Sequence, residues 1–227
     1  YELTQSFHLE GVITACSLTT DQHRPVMVLE DFGGESLALY LKRRQRQFTV
    51  AEFLPLAIQI ANILGQVHQQ HVMHKDVNPS NIVWNPQTDQ VKLIDFGIST
   101  VLTRENPVVR NPRMGEGTLA YMSPEQVRGD LHLIGPASDV YSLGTIMYQM
   151  LTGAPPFEGS IASVVRQALV ETPDCPSSLE DGVDPQLGAI CLQALEKEPS
   201  KRFASGTAFA LALREYLKGP KPKPTAP

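Results

Sequence analysis

The chain has 227 residues, 42% hydrophobic and 19% charged, a composition that supports a buried core and excludes disorder over its bulk. Its formal net charge of −5, from 19 Lys and Arg against 24 Asp and Glu, argues against a dedicated nucleic-acid binder. The longest unbroken apolar runs fall far short of the roughly 18 residues of a membrane helix, and three widely spaced cysteines, Cys16, Cys175 and Cys191, suggest a reducing, cytoplasmic compartment and lack zinc-ligand spacing.

The opening residues read as a helix remnant followed by strands. The apolar run of Arg24–Asp31 predicts a buried strand, broken by Phe32-Gly33-Gly34. Ser36 is placed to cap a short helix over Leu37–Arg46. Thr49 followed by Glu52 is a capping-box pattern. The helix it would start carries Phe53, Ala57, Ile60, Leu64 and Val67 at helical spacing, and so predicts a core helix of about five turns. Short apolar pieces at Asn81–Trp84 and Gln90–Ile94 flank a turn-forming stretch from Asn85 to Asp89, which predicts a hairpin. Ser138 is then placed to cap a helix through Leu151 that Gly153 ends. Further helices are expected over 160–170, 186–197 and 206–217. Strands first and helices later make the class α+β with a helical bulk. From Lys218 onward, alternating Pro and Lys read as an extended tail or linker.

Three segments carry chemistry together. They are the run from His74 through Lys75, Asp76, Val77, Asn78, Pro79 and Ser80 to Asn81; Asp95-Phe96-Gly97 after an apolar strand; and Gly117-Thr118 through Ser123-Pro124-Glu125. Each alone is weak, because short Asp, Asn and Gly patterns are common in turns. In this order and spacing the chain resembles the eukaryotic-type Ser/Thr protein kinases, from Tyr1 to about Lys218. Within that family it is similar to the kinase modules of large bacterial multidomain signalling proteins.

The resemblance implies a two-lobed protein-kinase fold. A remnant of the small lobe and hinge would occupy 1–35, the helical large lobe 36–217, and the tail 218–227. The reaction implied is transfer of the ATP γ-phosphoryl group to a Ser or Thr hydroxyl of a protein substrate, with ATP and Mg2+ as cofactors. Further domains in the same polypeptide are expected, with no nucleic-acid partner and no membrane segment in this chain. By the family's pattern Asp76 takes the proton of the attacking hydroxyl, with Asn78 beside it in the catalytic set. Asn81 and Asp95 hold Mg2+, which favours such oxygen ligands. Leu29 is the gatekeeper, the backbone of Glu30 and Phe32 meets adenine, and Val83 forms the floor under it. His74 and Phe96 belong to a stacked apolar spine. Gly97 frees the backbone at the start of the activation segment, and Thr118 marks the Ser/Thr pattern. Glu125 pairs with Arg202, and Asp139 accepts hydrogen bonds from the catalytic-loop backbone.

Four departures from the family pattern bear on activity. Asn78 stands where a Lys is usual and brings no charge. Lys75 replaces an Arg and loses the bidentate fork. Ser123 replaces an Ala. No G-x-G-x-x-G loop and no Val-Ala-x-Lys strand occurs in the chain, so the isolated chain is expected to have little or no kinase activity. A non-catalytic docking module and a small-molecule phosphotransferase are the competing readings. Candidate phosphosites are Ser99, Thr100 and Thr103. His68, His71 and His74 could suggest a metal site, but a solvent-facing helix end is the better reading. Lys42, Arg43, Arg44 and Arg46 form a basic cluster, read as a solvated helix face more readily than as a site for acidic partners or phosphates. Ser80 stands where some basophilic kinases carry an acidic residue, which disfavours a preference for arginine-rich peptides.

Overall fold

The computed structural model describes residues 9–22, 24–44, 46–96 and 116–219. Gly97, Ser99, Thr100, Thr103 and the tail from Pro220 lie outside them. In chain order the elements are β1 (Ala15–Asp21), β2 (Arg24–Leu29), β3 (Glu35–Ser36), α1 (Leu37–Arg43), α2 (Val50–Gln69), β4 (Ile82–Asn85), β5 (Gln90–Leu93), α3 (Glu116–Leu119), α4 (Pro124–Arg128), α5 (Pro136–Thr152), α6 (Ile161–Val170), α7 (Pro176–Leu179), α8 (Pro185–Ala194) and α9 (Gly206–Lys218). The α+β class with a helical bulk matches the sequence expectation.

Local chemistry sets several of these boundaries. The Ser36 hydroxyl accepts from the Leu39 N–H at the start of α1. At α2 the Thr49 hydroxyl accepts from the Glu52 N–H and Glu52 reaches back to the Thr49 N–H, so two orphan donors are satisfied at once. Helix α1 ends at Arg43 rather than Arg46, because Arg44 turns extended and its guanidinium goes to Glu52. Helix α5 starts at Pro136, two residues before Ser138. Pro at the first helical position needs no N–H partner, and the Ser138 hydroxyl accepts from the Gly135 N–H from inside the first turn. Gly153 ends α5 in the left-handed conformation, as expected.

Two small sheets form. Strands β1 and β2 pair antiparallel as a hairpin, and β3-β4-β5 make a three-stranded sheet. Backbone of the segment before β1 lies beside β5, where the Ile13 N–H donates to Leu93 and the Leu93 N–H to Gly11. The expectation of a buried strand at Arg24–Asp31 is corrected. Of the β1–β2 hairpin only Ala15 is buried, and Leu18, Val26, Val28 and Leu29 are open to solvent. An apolar run predicts a strand, but its burial depends on what packs across it.

The core gathers around α2, which packs against α9, α5 and β5. Its length and hydropathy would also suit a bilayer span, yet here it is the central helix of the core. Helices α2 and α9 meet backbone to backbone. A Cβ on Gly206 would stand 2.4 Å from the Ala61 carbonyl oxygen and 2.5 Å from the Gly65 nitrogen. Replacing Gly206 with Ala is therefore expected to cost about 1–3 kcal/mol, since backbone cannot yield as a side chain does. A thermal melt of the purified protein checks this, and an unchanged midpoint would refute it.

Candidate active site

The turn from His74 to Asn81 is held from below by α5. Asp139 sits in the first turn of α5 and is fully buried. One of its carboxylate oxygens accepts the His74 N–H at 2.8 Å and His68 Nε2 at 2.9 Å, and the other accepts the Lys75 N–H at 2.8 Å. His68 is thus buried, not solvent-facing as its helix-end position suggested. Its Nδ1 accepts from the Gly206 N–H at 3.2 Å, so Nε2 carries the proton donated to Asp139. Sequence reading missed this role because the partners lie 71 and 138 residues away. His74 has its Nε2 on the Ile94 carbonyl and its ring 4.6 Å from Phe96. Both ring nitrogens of His68 and of His74 are thus taken up within the protein, and the His74 and Phe96 rings meet at a tilt of 42°.

Two residues in this machinery adopt the left-handed backbone without being glycine: Lys75 (φ 66°) and Asp95 (φ 57°). Such a conformation costs of order 1 kcal/mol or more and persists only where neighbours over-determine it. Lys75 is gripped on both sides, its N–H by Asp139 and its carbonyl by Gln126 Nε2 at 2.7 Å. Gln126 lies on α4, next to Glu125, and so ties the turn from His74 to Asn81 to that helix.

Asp76 is clamped by two amides. Asn78 Nδ2 donates to its Oδ1 at 2.9 Å and Asn81 Nδ2 to its Oδ2 at 2.9 Å, and both also reach the Asp76 carbonyl. Each carboxylate oxygen keeps a lone pair for a further donor. Asn78 has both amide hydrogens taken up by Asp76, and its Oδ1 accepts the Ser80 N–H. It therefore has no donor left for a transferring phosphate, and its place in the catalytic set becomes that of a clamp on Asp76. Asn81 is buried and spends its amide nitrogen on Asp76, which leaves its Oδ1 as the group suited to a cation. Its carbonyl accepts the Ile94 N–H at 3.0 Å, which ties the strand leading into exposed Asp95 to the same turn. Hard oxygen donors from Asn81 and Asp95 fit Mg2+.

The residues expected around adenine come from the end of β2, the segment that follows it, and β4. Leu29 ends β2 and remains partly open. Glu30 donates its N–H to the Thr14 carbonyl, and its side chain takes the Thr14 N–H and Lys92. Burial alone would push the Glu30 carboxyl up, but those bonds outweigh it and hold the group below its ordinary range. The Phe32 carbonyl accepts Asn85 Nδ2 at 2.9 Å. Among the described residues nothing takes the Glu30 carbonyl or the Phe32 N–H. A Cβ on Gly34 would stand 2.8 Å from both the Phe32 ring and Val83, so a missing side chain brings the two together.

Glu125 and Arg202 form the expected buried bidentate pair, at 2.7 and 2.8 Å. Ser138 adds a hydroxyl to Glu125 at 2.6 Å, a partner that sequence reading placed at a helix cap instead. Burial would raise the Glu125 carboxyl, yet the Arg202 bonds and charge hold it below its ordinary value. Thr118, half-buried, lines a cleft together with Ser80.

Known proteins match this chain in sequence and in fold. The protein kinase domain family matches residues 1–214. The serine/threonine-protein kinase PknB of Mycobacterium tuberculosis is 34% identical over 200 residues, covering 88% of this chain and 31% of that protein. The serine/threonine-protein kinase drp72 of Corynebacterium efficiens is 37% identical over 203 residues, covering 86% of this chain and 36% of that one. The chain thus spans about a third of the length of these relatives. The crystal structure of the Mycobacterium tuberculosis PknI kinase domain has the same fold, with a TM-score of 0.71 at 22% identity over 94% of this chain and 75% of that chain. A match running across nearly the whole chain, joined to named relatives above 30% identity, makes this chain a member of the protein kinase domain family, of the serine/threonine type.

Proposed function

We propose that the polypeptide carrying this chain transfers the γ-phosphoryl group of ATP to Ser or Thr hydroxyls of a protein substrate. The observation that carries the reading is the Asp76 carboxylate, held by two amides while each of its oxygens keeps a free lone pair. A hydroxyl placed there gives its proton to Asp76 as its oxygen bonds the γ-phosphorus, and the bond from that phosphorus to the β,γ-bridging oxygen breaks. Phosphoryl transfer asks mainly for positioning and charge stabilisation, and the clamps from Asn78, Asn81 and Asp139 supply the positioning. Asn81 Oδ1 and the Asp95 carboxylate would hold Mg2+, which when bound neutralises phosphate charge. The Glu30 carbonyl and Phe32 N–H would meet the adenine edge, with Leu29 beside it and Val83 beneath. The greater length of the relatives supports further domains in the same polypeptide, and the odd, widely spaced cysteines support a cytoplasmic setting.

The test incubates the complete polypeptide, as the cell makes it, with γ-labelled ATP, Mg2+ and peptides bearing Ser, Thr or Tyr. Phosphoserine or phosphothreonine that vanishes when EDTA is added is the expected result. Nucleotide binding without transfer would favour the docking-module reading, and label on a sugar or amine would favour the small-molecule reading.

A further inference from the structure

The basic cluster near α1 is not one solvated face. Arg43 turns away to Glu35. Lys42, Arg44 and Arg46 instead line a cleft of about 680 Å3 that also takes in Asn78, Pro79 and Ser80 of the catalytic turn. Asn78 is bonded to the Asp76 carboxylate, so the cleft begins one side chain from the proposed base. Among the described residues its lining holds no acidic one. Arg44 is a fixed wall, its guanidinium 4.0 Å from the Phe48 ring centre and bonded to the Tyr40 hydroxyl and Glu52. Arg46 also pairs with Glu52 but leaves 62% of its side chain open. Lys42 is exposed and has no ion pair among the described residues. Glu52 is the single carboxylate shared by both arginines, and it already serves as the cap of α2. Glu180 reaches the far rim only through Gln47. Among the described residues, Lys42, Arg44 and Arg46 line the cleft with only Glu52 and Glu180 at its edge, and the Asp76 carboxylate lies behind Asn78, so the lining itself carries positive charge beside the catalytic turn.

We infer that this cleft receives the substrate segment flanking the phosphorylated residue and selects Asp and Glu side chains there, with Lys42 and Arg46 as the specificity-determining contacts. The inference rests on the kinase reading for its link to turnover, but not for binding. An acidic segment meets unsatisfied cations in a partly enclosed cleft, whereas a basic one meets like charge, which suppresses the wrong partner.

The experiment uses the complete polypeptide and three peptides that share one Ser acceptor. The three residues on either side of it are Asp, Gln or Lys. The Asp peptide is expected to exceed the Gln peptide in kcat/KM by roughly threefold to tenfold, carried in KM, with an advantage that shrinks as salt is raised. Lys42→Glu is expected to abolish or invert that ratio, and Arg46→Gln to reduce it. The same labelled peptides are titrated without ATP by fluorescence anisotropy, and the same order of affinity is expected. Binding that favours the Asp peptide with no phosphorylation of any peptide would overturn the kinase reading and leave the cleft assignment standing. Equal binding of all three peptides, or a preference that survives Lys42→Glu, would overturn the cleft assignment whether or not phosphorylation occurs.

Discussion

Replacing Asp76 with Asn is expected to lower kcat for a Ser or Thr peptide by roughly 10²- to 10⁴-fold, the range that a positioned acid–base group contributes. The substitution keeps the volume of the side chain and removes its ability to take a proton. It also turns an NH2 group toward the amide of either Asn78 or Asn81, so one of the two clamping bonds at 2.9 Å becomes a donor facing a donor. That part should cost about 1 kcal/mol of stability, too little to unfold the protein. The peptide KM should move far less than kcat, because Asp76 acts on the proton in flight and not on the flanking residues of the substrate. Steady-state kinetics on the complete polypeptide, with a thermal melt beside them, separate the two effects. Activity within tenfold of the unsubstituted protein would remove Asp76 from the role of base. Asn78→Ala is the companion variant. It frees one Asp76 oxygen and exposes the Ser80 N–H, and should lower kcat without removing the base.

The second large effect is on stability, at Arg202. This side chain is fully buried and uses all five of its N–H groups. Two go to Glu125; the others go to the carbonyls of Ala137, Glu196 and Lys197, at 2.6 to 3.0 Å. The guanidinium also lies 4.9 Å from the Tyr141 ring centre. Replacing Arg202 with Met leaves the Glu125 carboxylate buried with only the Ser138 hydroxyl, and strands three carbonyls. Breaking a buried pair from one side costs about 3–5 kcal/mol, which for a chain of this size lowers the melting midpoint by roughly 6–20 °C. The double replacement Glu125→Leu with Arg202→Met should cost less than the sum of the two single changes, because no charge is then left unpaired. A fully additive result would show that the pair is not coupled.

The same pair sets an acid dependence. Glu125 is held below its ordinary value of 4.5 in the folded protein, Arg202 outweighing the opposing effect of burial. A carboxyl depressed on folding contributes stability that is fully present above its unfolded value. That contribution is lost as pH falls below about 4.5 through the depressed folded value. The midpoint of the intact protein should therefore fall across that window, and the Arg202→Met variant should show a shallower fall. Equal slopes would assign the acid sensitivity to other groups.

Residue order alone determined the parts of this protein whose partners lie within a few positions. The Ser36 cap, the Thr49–Glu52 box, the hairpin of Asn81–Trp84 with Gln90–Ile94 and the Gly153 stop are each decided by one turn of chain, so they could be read from sequence with boundaries off by a residue or two. The spacing of Asp76, Asn81, Asp95 and the run from Gly117 to Glu125 likewise carried the family, because a shared fold imposes shared spacing. Only the tertiary structure decided what those residues face. It left Val26 and Val28 in solvent, since no element packs over that hairpin among the described residues. It buried His68 between Asp139 and Gly206, turned Asn78 into a clamp on Asp76, and divided one run of basic residues between a pairing with Glu35 and the wall of a cleft. Burial and hydrogen-bond partners arise across separations of up to 138 residues, and a periodicity of two or 3.6 residues holds no record of what lies on the other side of the contact.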